Sequence, residues 1–198
     1  MVNWLYSQKV KEHFFKPRNI QLDIPAPNTF DATATIGSVI CGDMMQVWLK
    51  IDKETEKVEK MTWKTFGCAS AIASTSVLSE MVASKTLAEA RKITAEQIVK
   101  ELGGLPQNKI HCSVMGDKAL RMAINNYYRS LGKPEKIVHE TGKMLDERLM
   151  VTDEEVKDLI RQGVDTLQGL QERLKVGVGD EKLKNELAEL LKNERKSK

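Results

Sequence analysis

Apolar and polar positions alternate through two successive stretches of the chain, a third strand-like stretch follows, and then the period changes. Phe30-Asp-Ala-Thr-Ala-Thr-Ile36 alternates strictly, the signature of a half-buried strand. Met45, Val47, Leu49 and Ile51 interleave with Gln46, Trp48, Lys50 and Asp52, predicting a second strand; a third is expected from about Val58 to Phe66. The residues from Gly37 to Asp43 read as a bent loop, and those from Asp52 to Lys57 as a polar turn. Three consecutive strands with short connections favour an antiparallel meander. Ahead of it, Leu5, Val10, Phe14 and Phe15 mark an amphipathic helix from about Asn3 to Phe15, and Pro17, Pro25 and Pro27 force an extended connection.

Helical signals take over after the third strand. A helix rich in Ala and Ser is expected from Ala69 to Ala83, its small residues suited to lying close on a sheet. A short helix from Thr94 to Leu102 meets a stop at Gly103-Gly104, with Pro106 beyond. A long helix is predicted from Ser113, with Leu120, Ala123, Ile124, Tyr127 and Leu131 on one stripe, ending at Gly132. Strands first and helices afterwards indicate an α+β fold: a three-stranded antiparallel sheet covered by helices. Beyond Pro134 the pattern shifts again. From Val151 onward there is no cysteine, no aromatic residue and no strand signal. Thr152-Asp-Glu-Glu155 is a capping box, residues 167 to 174 read as a helix, and Leu183, Leu187, Leu190 and Leu191 stripe a last one. The expected organisation is a main domain over 1–134 and a small, all-helical appendage over 143–198.

Composition narrows the function classes. The 198 residues are 41% hydrophobic and 30% charged, as expected of a globular chain. A net charge of +3, with basic residues interleaved among acidic ones, does not argue for nucleic acid. No apolar run approaches membrane-spanning length. The first residues lack the basic start and apolar stretch of a signal peptide, so a cytoplasmic location is expected. His13 and His139 sit in polar surroundings and read as solvated surface residues.

The candidate chemistry lies in three cysteines, the only ones present: Gly37-Ser-Val-Ile-Cys41-Gly-Asp43, Thr65-Phe-Gly-Cys68-Ala-Ser70 and Lys109-Ile-His-Cys112-Ser113. Polar, Gly-rich contexts differ from the aliphatic settings of inert core thiols. An odd number cannot pair fully in disulfides, and a reducing compartment disfavours pairing. Cys68 and Cys112 each directly precede a predicted helix, where the helix dipole and free N–H groups favour the thiolate. Three thiolates with His111 and Asp43 form an incomplete shell for a soft metal, either zinc or an iron–sulfur cluster. An oxygen ligand such as Asp43 is weakly held there, which suits temporary binding.

These segments resemble the IscU/NifU-type iron–sulfur cluster scaffold family. The match runs from Tyr6-Ser-Gln-Lys-Val and Pro17-Arg-Asn through Cys41-Gly-Asp43 and Phe66-Gly-Cys68-Ala-Ser-Ala-Ile-Ala-Ser to Leu105-Pro-Gln-Asn-Lys109-Ile-His-Cys112-Ser, about two-thirds of the chain. The resemblance implies that Cys41, Cys68 and Cys112 are assembly thiols, that Asp43 and His111 are auxiliary ligands, and that Lys109 is a nearby auxiliary lysine. It implies a non-enzymatic scaffold. The scaffold takes sulfur from a cysteine desulfurase, gathers iron, builds a labile [2Fe–2S] cluster and passes it to apo iron–sulfur proteins, with zinc as an alternative resting occupant. A homodimer is left open.

The family's Hsp70-type chaperone reads Leu-Pro-Pro-Val-Lys; here Leu105-Pro-Gln-Asn-Lys109 has lost two of those residues, which argues against that partner. The tail, from Met150-Val-Thr to Val176-Gly-Val-Gly179, is similar to the ferredoxin-like middle module of NifU proteins. Asp146, Arg148, Asp180 and Leu183 stand where that module has its four cysteines, so a degenerate, Cys-less module is expected. The alternative is a zinc-dependent sulfurtransferase of the SufU-like type. It is disfavoured because those relatives carry a long insertion between the second and third cysteines and lack the His before the third.

Overall fold

The structure is a computed structural model that describes residues 6–38, 43–106, 110–177 and 179–196; the side chains of 38, 43, 110–114 and 195–196 lie outside that description. The chain divides into two compact units, Met1–Ile137 and Val138–Lys198.

In the first unit the predicted meander is present. Strands β1 (Ala32–Ser38), β2 (Asp43–Asp52) and β3 (Lys57–Thr65) form an antiparallel sheet in the order β1-β2-β3. The register places Ile36 beside Met45, Val47 between Ala34 and Trp63, and Leu49 beside Met61, so one face is a continuous set of buried apolar pairs. The other face is not wholly polar: Trp48 pairs with Thr62 and both are buried. The β1–β2 ladder runs further than the alternation suggests, ending at Ser38↔Asp43. Gly37 and Asp43 therefore belong to strands and not to the loop, and Gly37 reaches this position with φ 78°, a backbone region glycine enters without strain. The β2–β3 turn is closed by Asp52, whose Oδ1 accepts the Glu54 and Thr55 amides.

Helix α1 (Gln8–Phe15) is capped by Ser7, whose Oγ accepts the Val10 amide at 3.1 Å. It packs on α2 (Ala69–Met81), whose buried hydroxyls, Ser70, Ser76 and Ser79 among them, bond α1 and the residues flanking it. Ser76 Oγ lies 2.8 Å from His13 Nδ1 and accepts the Arg18 amide at 2.8 Å, while Asn19 donates to Ser79. His13 is thus buried, contrary to the surface position its polar neighbours suggest, because a hydroxyl on the facing helix supplies its partner. A helical turn absent from the expectation, α3 (Leu87–Ala90), carries a Thr86/Glu89 capping box that was present in the sequence. Helix α4 (Ala95–Glu101) starts at its Thr94 cap and stops at Gly103 and Gly104. The long helix α5 (Ile110–Ser130) packs on β1, β2 and α2 and buries Leu120, Ala123, Ile124 and Tyr127. Leu131 falls beyond its end and is exposed.

The second unit has a core of its own: Val151, Val156, Ile160, Leu170, Val176, Leu183, Leu187 and Leu191. Helices α6 (Asp153–Arg161), α7 (Leu167–Leu174) and α8 (Glu181–Lys196) supply most of it. Thr152 caps α6 as expected, and three acids in its first turn complement the helix dipole. The unit is not purely helical: β4 (Met144–Asp146) pairs with β5 (Val151–Thr152). A two-residue strand leaves no alternation to read.

Two predictions follow from the packing of α2. Desolvation holds the His13 pKa below its ordinary value of 6.5; Arg18 and Lys9 act in the same direction, and Glu80 and Glu12 oppose them. The unfolded chain then binds the proton more readily, so this contribution to stability is present above pH 6.5 and is lost as pH falls below it and through the lowered pKa of the folded chain. Chemical denaturation between about pH 7.5 and about pH 5.5 should show a smaller loss of stability for His13→Asn than for wild type; equal slopes would refute the assignment.

A Cβ on Gly116 would lie 2.9 Å from Thr75 Oγ1 and 3.3 Å from Leu78 Cδ2. Overpacking of that kind costs about 1–3 kcal/mol, against about 1 kcal/mol of helix propensity gained by Gly→Ala. Gly116→Ala should therefore lose up to about 2 kcal/mol in wild type and less in a Thr75→Ala background. The same cost in both backgrounds would rule out the steric contact.

Candidate metal centre

The two ends of the meander differ. At one end, the β2–β3 turn is tied to the last turns of α5: the Tyr128 hydroxyl donates to Glu56 at 3.1 Å, and Lys136 reaches the same carboxylate at 2.7 Å. The Asn126 amide donates to the carbonyl of Thr33, near the start of β1. Helix α5 spans about 30 Å at 1.5 Å per residue, close to the length of β2. Its first turn therefore lies toward the opposite end, where Ser38 pairs with Asp43 and β3 finishes at Thr65. Helix α2 runs the same way. Its C-terminal residues return to the start of β3, with Ser84 N–H donating to Val58 O and Val58 N–H to Lys85 O, so its N-terminus also points to the Asp43–Thr65 end.

Cys68 is the N-cap of α2, in an extended conformation (φ −73°, ψ 174°), half-buried and outside any disulfide. Its carbonyl accepts the Ile72 amide at 3.0 Å, the first bond of the helix. The segment before it is held to the sheet. Phe66 N–H and Thr65 Oγ1–H both donate to Met44 O, at 3.2 and 2.6 Å, and Gly67 N–H donates to Thr65 Oγ1 at 2.9 Å. The Tyr6 hydroxyl lies 3.1 Å from Ser70 Oγ in the first turn of α2. Neither α2 nor α5 carries an acidic side chain in its first turn, whereas α4 has Glu96 and α6 has Asp153, Glu154 and Glu155. The positive ends of α2 and α5 are therefore not neutralised by carboxylates of their own, a setting that favours a thiolate.

Of the other candidates, Asp43 is the first residue of β2. His111 and Cys112 lie inside the first turn of α5 and do not precede it. Helix α5 covers Ile110–Ser130, not the expected start at Ser113, so both candidate ligands are on helical backbone. Cys41 and Lys109 lie outside the described residues, as do the side chains of Asp43, His111 and Cys112. Among the described residues no group of three or more metal-binding side chains occurs. Thr65 and Ser70, which the sequence shows only as flanks of the Cys68 context, contribute to this end of the sheet. The signal for Thr65 was a hydroxyl two residues ahead of a glycine, a turn-forming pattern.

In the second unit, Asp146, Arg148, Asp180 and Leu183 line a single open cavity. Its polar groups serve one another. Asp146 accepts the Arg148 and Leu149 amides and pairs with the Arg148 guanidinium at 3.0 Å, and Asp180 accepts the Leu183 amide at 2.9 Å.

Residues 5–133 match the family described as NifU-like N terminal domain. Over 177 residues, 89% of the chain, the sequence is 38% identical to the nitrogen fixation protein NifU of Azotobacter chroococcum, of which it covers 55%. Over 133 residues, 67% of the chain, it is 43% identical to iron-sulfur cluster assembly scaffold protein IscU 1 of Archaeoglobus fulgidus, of which it covers 83%. It is 40% identical over 131 residues to iron-sulfur cluster assembly scaffold protein IscU of Aquifex aeolicus, covering 81% of that protein. The chain spans about half the length of the NifU relatives it matches. The 177-residue match to NifU is longer than the first unit, so that similarity continues into the second. No helix among the described residues is long and apolar enough to cross a membrane.

Proposed function

We propose, for a chain that belongs to the NifU-like N-terminal domain family, the role of a scaffold on which iron–sulfur clusters are assembled and from which they are handed on. The supporting observation is positional: the backbone sites of Asp43, Cys68, His111 and Cys112 share one end of the sheet, with Cys68 capping a helix whose first turn has no acid. Cys41 is two residues from Asp43 along the chain. Three thiols, an imidazole and a carboxylate form a donor set suited to iron and zinc. Cys41, Cys68 and Cys112 act as the assembly thiols, with Asp43 and His111 as auxiliary ligands and Lys109 close by. A thiolate on one of them attacks the outer sulfur of a desulfurase persulfide, takes that sulfur and releases the donor thiolate. The cargo is a [2Fe–2S] cluster, with zinc an alternative occupant at rest.

The partners are a cysteine desulfurase and apo iron–sulfur proteins in the cytoplasm. The altered Leu105–Lys109 segment weighs against an Hsp70-type chaperone. The second unit is a degenerate ferredoxin-like module. The NifU match that runs into it supports this, as does the cavity where Asp146, Arg148, Asp180 and Leu183 stand together without a thiol.

Anaerobic reconstitution with iron, sulfide and reductant, followed by visible absorption and Mössbauer spectra, tests the scaffold role. Each of Cys41→Ser, Cys68→Ser and Cys112→Ser should abolish or severely reduce cluster yield, because a hydroxyl replaces a soft thiolate. A variant with wild-type yield removes that cysteine from the site.

Asp43→Ala should assemble a cluster that lives longer and is delivered more slowly to an apo-ferredoxin, because a weakly held oxygen ligand has been removed. Cluster half-life and melting temperature on one sample separate this from a turn-stabilising Asp, which would lower only the melting temperature.

A further inference from the structure

One hydroxyl group bonds to both of the segments that carry Asp43 and Cys68. Thr65, the last residue of β3, pairs in the ladder with Met45, so its side chain is not needed to hold the strands in register. Its Oγ1 nevertheless donates across the sheet to Met44 O at 2.6 Å and accepts the Gly67 amide at 2.9 Å. Met44 follows Asp43, and Gly67 precedes Cys68. The same Met44 carbonyl also receives the Phe66 amide at 3.2 Å. The start of the Asp43 strand and the entry to the Cys68 helix therefore converge on one carbonyl, and Thr65 is the group that touches both sides.

We propose that Thr65 is a positioning residue for the metal site, setting the place of Cys68 relative to Asp43 through this two-sided hydrogen bond. The inference rests on the scaffold reading above. Metal affinity depends on ligands being held in place before binding, and loss of a hydrogen bond that orients a ligand typically costs about 10–100-fold in affinity. Valine matches threonine in shape but can neither donate nor accept. In Thr65→Val the Gly67 amide loses its acceptor and Cys68 is tethered only by backbone. Thr65→Ser retains both hydrogen bonds.

The test uses the full chain with Thr65→Val, Thr65→Ser and, in case the valine variant does not fold, Thr65→Ala. Cobalt(II) is titrated anaerobically and followed by the thiolate-to-cobalt charge-transfer band. Hydrogen exchange at the Gly67 and Cys68 amides is measured without metal, and the denaturation midpoint of each variant is recorded. In the valine or alanine variant, cobalt affinity should fall about 10–100-fold and the Gly67 amide should exchange faster, while serine behaves as wild type in both respects. A folded valine variant with wild-type affinity and wild-type exchange overturns the proposal. So does a serine variant as weak as valine, since that assigns the effect to packing of the methyl group. A wild-type chain with no thiolate–cobalt band removes the scaffold reading and this proposal together, whereas a wild-type band unchanged in the variants removes the proposal alone.

Discussion

Helices α2 and α5 meet at Gly116, where Thr75 and Leu78 leave no room for a side chain, and the geometry of the first unit depends on that close approach. The contact is possible because α2 is built largely from Ala, Ser and Thr and buries most of them. Small residues on both helices let two parallel rods lie side by side over a three-stranded sheet, with α5 on β1 and β2 and α2 on β3. Running in the same direction, they bring their N-termini to the same end. Larger residues at the contact would push the helices apart and separate the chain segments on which the candidate ligands are carried.

The small residues of α2 also make it the docking surface for the N-terminal segment. A helix that buries Ser70, Ser74, Ser76 and Ser79 must supply partners for their hydroxyls. Tyr6, His13, the Arg18 backbone and Asn19 are among those partners. The Tyr6-Ser-Gln-Lys-Val and Pro17-Arg-Asn motifs are thereby explained without any direct part in ligation: they hold α1 and the following turn against the helix that Cys68 begins. The interface is polar and still well buried, which is how a histidine in an apparently solvated sequence comes to have a depressed pKa.

The second unit is held by a core and by polar contacts of its own. A small domain needs either a metal or a sufficient core. Here Leu170, Val176, Leu187 and their neighbours make a core, and the acids and Arg148 around the open cavity satisfy backbone amides and one another.

Much was legible in the sequence. Alternation located the first two strands within a few residues, the Thr152 cap located α6, the Gly103-Gly104 stop bounded α4, and the three cysteine contexts marked the chemistry, because each of these signals is local. Thr86-Leu-Ala-Glu89 carries an equally local capping signal, which the structure shows as α3. Tertiary structure alone decided the rest. The burial of His13 depends on Ser76, 63 residues away, and the double role of Thr65 depends on a carbonyl 21 residues away. Extension of the β1–β2 ladder to Ser38 and Asp43 required the partner strand, and the start of α5 at Ile110 moved His111 and Cys112 onto helical backbone. A sequence states the preferences of each residue for its near neighbours. Which distant group becomes a hydrogen-bond partner, and which helix end faces which strand end, is set only when the chain packs.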